Sequence, residues 1–235
     1  PNPTSLLLMT SAGDTVSIAA GTYGDLTIDT VIAGGFVRII PTSGLGTVTI
    51  SSLTIEDAEG LDFRGIDTDD HASDWGNWYM RNTKRCRIRG GSHNSQTAAT
   101  VVFDVRRECD DIIIEDVLVE DSFSPFNVNA NPGETVPRNI VLQHFHTEGT
   151  KEDHVFLGRG EWITIQDFEC YGHTEDAEHQ DGVQIVGAKH VMIRRGHIWN
   201  DRSFRDAAID RNDHGVIANY DPAETPDPRV PEDIW

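Results

Sequence analysis

The sequence is poor in cysteine, in lysine and in long apolar runs, and each shortage removes a class of protein. Its three cysteines, Cys86, Cys109 and Cys170, form an odd set without a C-x-x-C pair. Neither a disulfide framework nor a zinc knuckle is indicated, and two of the three fall at strand positions as small core residues. No stretch nears the roughly 18 apolar residues of a membrane-spanning helix. The run "SLLLM" is too short for a signal core and lacks a basic flank. A start at Pro1 is what trimming of an initiator methionine would leave, so no export signal is expected. Basic residues are scarce: 19 Lys and Arg, only three of them lysines, face 39 Asp and Glu, for a formal charge of -20. That balance argues against nucleic acid, anionic membranes and other polyanions unless cations mediate the contact.

What is present is a repeat. Six decapeptides align: "LDFRGIDTDD" from Leu61, "CRIRGGSHNS" from Cys86, "IIIEDVLVED" from Ile112, "IVLQHFHTEG" from Ile140, "ITIQDFECYG" from Ile163 and "VMIRRGHIWN" from Val191. Their starts are 25, 26, 28, 23 and 28 residues apart. Offsets zero and two are almost always apolar, offsets three and four are polar or glycine, and offset five is often apolar again. Alternation puts one set of side chains inward, and the two-residue slip means that the chain turns a corner onto a new face. Shorter strands precede the decapeptides: "WYM", "VVFDV", "PFNV", "HVFL" and "GVQI". Two or three strands per repeat of about 25 residues, without helical periodicity, define an all-β parallel β-helix, a solenoid of about eight coils.

The opening "AGDTVSIAAGTYGDLTI", Ala12 to Ile28, resembles the first coil of the pectate-lyase-like, single-stranded right-handed β-helix superfamily. That superfamily includes polysaccharide lyases, glycoside hydrolases and phage tailspikes. The resemblance covers 12–220 and implies a right-handed helix there; residues 1–11 are expected as an N-terminal arm or cap, and 221–235, with four prolines and no strand pattern, as an extended proline-rich tail. It implies nothing about one activity, because fold is shared far more widely than chemistry.

Candidate chemistry follows from stacking the coils. "KEDHVFL" and "HQDGVQI" overlay residue for residue, so Lys151 falls beside His179, Asp153 beside Asp181 and Phe156 beside Gln184. One coil further, Asn212, Asp213 and His214 join the same ladder. The loop "GHTEDAEHQD" adds His173, Glu175, Asp176 and Glu178. Such crowding raises carboxyl pKa values unless a cation intervenes. The resemblance implies either lyase chemistry, with a cation such as Ca2+ and a Lys or His base, or hydrolase chemistry with two carboxyl groups. Asp181, His179, Asp153 and Lys151 are the catalytic candidates, and Asp176, Asp181 and Asp153 the metal-ligand candidates. Gln184, His154, Tyr171, Trp199 and His173 are the substrate-binding candidates, with Tyr171 and Trp199 at offset eight forming a flat apolar strip. Trp75, Trp78 and Tyr79 offer a second platform. The lyase signature and the polygalacturonase motifs are absent, and a solvated acidic loop stays open as the alternative.

These features are read as a carbohydrate-active β-helix that binds a polysaccharide, with its cleavage by lyase or hydrolase chemistry left open. The setting is a phage tailspike or other virion or extracellular protein, as a homo-oligomer and a trimer if a tailspike. The rival reading is a non-catalytic structural or receptor-binding virion protein.

Overall fold

Each turn of the chain lays down three short strands on three faces, and each strand pairs in parallel with its counterpart one turn away. The computed structural model describes residues 10–69, 76–95, 101–173, 181–199 and 214–218. The expected arm and tail lie outside the described residues, save for residues 10 and 11. In the opening turn the strands Thr15–Ile18, Gly21–Tyr23 and Leu26–Ile28 begin three faces, here called front, flank and back. The back face stacks eight strands, ending with His214–Ala218, or roughly 35 Å at the usual strand spacing. Front and flank form one 14-stranded sheet, because Glu161–His173 and Lys189–Trp199 run through the corner unbroken. The chain is thus an all-β parallel β-solenoid, and six of its turns carry the decapeptide, front strand first and flank strand second.

The apolar offsets make the core. Leu61, Cys86, Ile112, Ile140, Ile163 and Val191 form one inward column, and Phe63, Ile88, Ile114, Leu142 and Ile165 the next, all of them buried. Ile193, in the last decapeptide, is only partly buried. Each fully buried side chain of this size stabilises the fold by about 1.5–3 kcal/mol. Phe126, Phe145 and Phe168 continue the column principle with ring centroids 4.7 and 5.3 Å apart. All three cysteines are buried and free; burial pushes the Cys109 and Cys170 thiols up to about 12, which leaves them unreactive.

Two left-handed columns make the corners. At offset four stand Gly65, Gly90, Asp116, His144, Asp167 and Arg195, with φ between 50 and 66°. Just before the decapeptides stand Gly60, Arg85, Asp111, Asn139, Trp162 and His190, with φ between 50 and 78°. Gly, Asn, Asp and His tolerate this region best, which accounts for the polar or glycine offset. Arg85, Trp162 and Arg195 have no such excuse and cost about 1–3 kcal/mol each. Gly60 is required for a second reason: an added Cβ would lie 2.5 Å from Gly35 O.

Outward offset three carries a continuous side-chain row. Arg194 Nε donates to Gln166 Oε1 at 2.7 Å, Gln166 Nε2 to Gln143 Oε1 at 2.7 Å, and Gln143 Nε2 to Glu115 Oε2 at 2.5 Å. Arg89 Nε meets Glu115 Oε1 at 2.9 Å from the other side. Each amide leaves one N–H for solvent or a ligand.

Candidate functional site

The back-face register is the one the overlay requires, with Val155 beside Val183, Phe156 beside Gln184, and Asp181 beside His214. The facing of the two carboxylates is different from the expected outward ladder. Asp153 is 7% and Asp181 0% exposed. Each lies two residues before an inward valine, and residues two apart share a strand face. Asp153 Oδ1 accepts the Asp181 N–H at 2.9 Å, a clamp between successive turns. His154 is buried too, with Nδ1 2.6 Å from Thr147 Oγ1 and Nε2 3.4 Å from Thr150 Oγ1. All three are buried. Lys151 is exposed at the turn and Gln184 half-buried on the outward side. His179 and Asp176 lie outside the described residues, and for His173 only the strand position, beside Thr150, is described. Among the described residues, no cluster of three or more His, Cys, Asp or Glu is arranged to hold a metal ion. Trp78 is core rather than platform: fully buried, edge-on to Phe63 and stacked on Phe103.

A different set of residues converges on the surface. A cleft of about 660 Å³ follows the corner between front and flank, a size typical of ligand sites. One wall is the left-handed column Asp116, His144, Asp167 and Arg195; the other is offset six, with His146, Glu169 and His197. His144 stands between two carboxylates, Nδ1 3.8 Å from Asp116 Oδ1 and Nε2 3.6 Å from Asp167 Oδ2. His146 does the same, Nδ1 3.3 Å from Glu169 Oε2 and Nε2 3.7 Å from Glu148 Oε2. Arg195 grips Asp167 through a two-pronged contact of 2.5 and 2.6 Å, and this hydrogen-bonded pair holds the Asp167 carboxyl below its usual range. Imidazoles paired with carboxylates on an open cleft wall are placed to exchange protons with a bound ligand.

The aromatic row borders this cleft. The Tyr171 ring lies 4.9 Å from the His146 ring and 5.8 Å from the Trp199 ring, with interplanar angles of 26° and 9°. Near-parallel rings at those separations cover one another's faces. The row is therefore a ridge showing ring edges, rather than a flat strip, although Trp199 is 53% exposed.

A second groove, about 550 Å³, runs along the front face. Val141, Thr164 and Met192 floor it, and Asn139, Trp162 and His190 form its outer wall. Trp162, 57% exposed and in the left-handed region, stacks on His190 at 4.0 Å and 13°. The row Gln143–Gln166–Arg194 is the ridge between the two grooves, because offset three separates offset one from the corner. Sequence reasoning missed His144, His146, Asp167, Glu169, Arg195 and His197. The signal was present at offsets four and six of the last three decapeptides.

No protein-family model matches the chain, and no curated protein matches it. Among solved structures, the chain is similar to the catalytic domain of a GH87 alpha-1,3-glucanase in complex with tetrasaccharides. The identity is 10% and the TM-score 0.17, over 94% of this chain and 63% of that one. The chain thus spans 63% of the length of that structure, and a likeness at this score carries no argument about activity.

Proposed function

We propose that this solenoid binds a polysaccharide laid along its axis, over the front groove, the amide ridge and the corner cleft. One observation carries the reading: two parallel grooves on the later turns combine exposed rings with amides, imidazoles and carboxylates. Successive turns are about 4.8 Å apart, comparable to the length of one sugar residue, so each residue of a polymer would meet the polar groups of one turn. Fixed amides with one N–H to spare provide the directional hydrogen bonds that hydroxyls need. Where the bound polymer is also cleaved, His144, His146 and their carboxylates are the acid and base groups within reach, serving lyase or hydrolase chemistry. The finer version of this reading is a homo-oligomeric virion or extracellular protein, a trimer where it is a tailspike.

The test is binding of the full chain to a glycan panel, with Trp162→Ala and Gln143→Ala as variants and product release followed as reducing ends and as absorbance of unsaturated uronates. At least one polymer should bind, and both variants should weaken it about tenfold or more while melting as the parent does. Wild type that binds no polymer on the panel, or variants that bind as tightly as wild type, would overturn the proposal.

A further inference from the structure

The front face changes character along the axis. Its later turns hold the apolar groove and the amide ridge, whereas its earlier turns gather five arginines: Arg38, Arg64, Arg85, Arg87 and Arg89. The register stacks Arg38, Asp62 and Arg87 in one outward column, and Arg64 beside Arg89 in the next. In a chain with 19 basic residues and a net charge of -20, this is a strong local reversal of sign.

The carboxylates nearby do not neutralise it. Asp62, only 4% exposed, is shared by three guanidinium groups: Arg64 at 2.7 Å, Arg89 at 3.5 Å and Arg38 at 3.9 Å. Glu115 takes Arg89 at 2.9 Å. Glu59 takes Arg85, whose remaining donors are spent on Gly35 O and Ile32 O. Arg87 forms no ion pair among the described residues; its Cζ lies 4.3 Å from the Phe36 ring centroid. A ring beneath a guanidinium orients it without cancelling its charge. Among the described residues, Arg38, Arg64, Arg87 and Arg89 thus face Asp62 and Glu115 alone, four positive charges against two negative.

We infer that the ligand is an anionic polysaccharide whose carboxylate or sulfate groups seat on Arg38 and Arg87. The inference rests on the polysaccharide reading above and names the class of polymer. A planar guanidinium fork matches a two-oxygen anion better than any other side chain does. Charges farther than about 8 Å are largely screened at physiological ionic strength, so the acidic remainder of the surface opposes contact at this patch only weakly. The geometry is continuous: the column that begins with Arg38 and Arg87 runs on through Ile113, Val141, Thr164 and Met192. A chain anchored by its charged groups at the arginines is thereby led onto the groove floor.

The experiment titrates the full chain, at about 0.15 M salt, with polygalacturonate, chondroitin sulfate and neutral dextran. At least one charged polymer should bind ten times more tightly than dextran, and the stronger of the two identifies carboxylate or sulfate as the seated group. The double variant Arg38→Gln, Arg87→Gln should lose at least tenfold in affinity for that polymer, with the melting temperature preserved and dextran binding unchanged. Rising salt should weaken the charged polymer and leave dextran alone. Dextran binding as well as the charged polymers, or an undiminished double variant, would overturn this inference and leave the polysaccharide reading standing. Binding of none of the three, together with silence on the wider panel, would overturn both.

Discussion

Two polar ladders run along this solenoid, and they differ in what their polar atoms meet. On the back face Asp153, His154 and Asp181 are buried, and their partners include a backbone N–H and two threonine hydroxyls. At the front corner Asp116, His144, Asp167 and Arg195 line a cleft and meet one another and solvent. Both repeat at the turn spacing, so repetition alone does not distinguish a site from a strut. Facing does. A buried carboxylate must be satisfied to be tolerated at all, whereas an exposed one adds little to stability and remains available to a ligand.

The sharpest separation should come from pH. His93 is an inward polar residue, with Nδ1 3.0 Å from Thr68 Oγ1 and edge-on to Phe103, and burial pushes its pKa down to about 3. The unfolded chain therefore binds a proton at this residue between about pH 6.5 and 3 that the folded chain refuses. Stability should fall as pH drops through that window, by at most about 1.4 kcal/mol per unit from this group. His93→Leu should flatten the curve of unfolding free energy against pH from 6.5 to 4, as measured by denaturant titration. An unchanged slope would place the acid sensitivity elsewhere.

Asp153→Ala comes next. It leaves the buried Asp181 N–H without its acceptor, which should cost about 1–3 kcal/mol in chemical denaturation, while the folded variant binds glycan as wild type does. A loss of glycan affinity in a variant that remains folded would return the back ladder to candidacy as a site.

The smallest effect on stability belongs to Asp167→Asn at neutral pH, since the pair with Arg195 is solvent-exposed. Its sign is nonetheless fixed. A carboxyl held low by Arg195 stabilises the fold above the ordinary carboxylate range and loses that contribution as pH falls through its folded value. Melting temperature at pH 7 should move by a degree or two at most, and glycan affinity should fall several-fold. A large stability loss with intact binding would make the corner ladder structural as well.

The sequence disclosed the architecture because its signal is local and repeated. Six decapeptides land on six turns, and "HVFL" over "GVQI" predicts the pairing of Val155 with Val183. The site was harder to read. Asp153 and Asp181 attracted attention by their charge, yet they share parity with the inward valines, which the alternation already implied. Offset four looked like a polar corner and proved to be a left-handed column, where conformational tolerance and function select overlapping residue types. The arginine patch was illegible for another reason: Arg85 reaches back 53 positions to Ile32, and Arg87 finds Phe36 two turns away. Contacts between nonadjacent turns leave no mark in any one repeat.

Two glutamines give the most direct test of the central claim that the ligand lies on the front and corner rather than on the back. Gln166 stands on the ridge between the grooves, and Gln184 stands half-buried on the back face beside Phe156. One polysaccharide that binds the parent chain is titrated against Gln166→Ala and Gln184→Ala under identical conditions. The account predicts at least a tenfold weaker affinity for Gln166→Ala and an unchanged one for Gln184→Ala. The reverse result, loss at Gln184 with Gln166 indifferent, would contradict it.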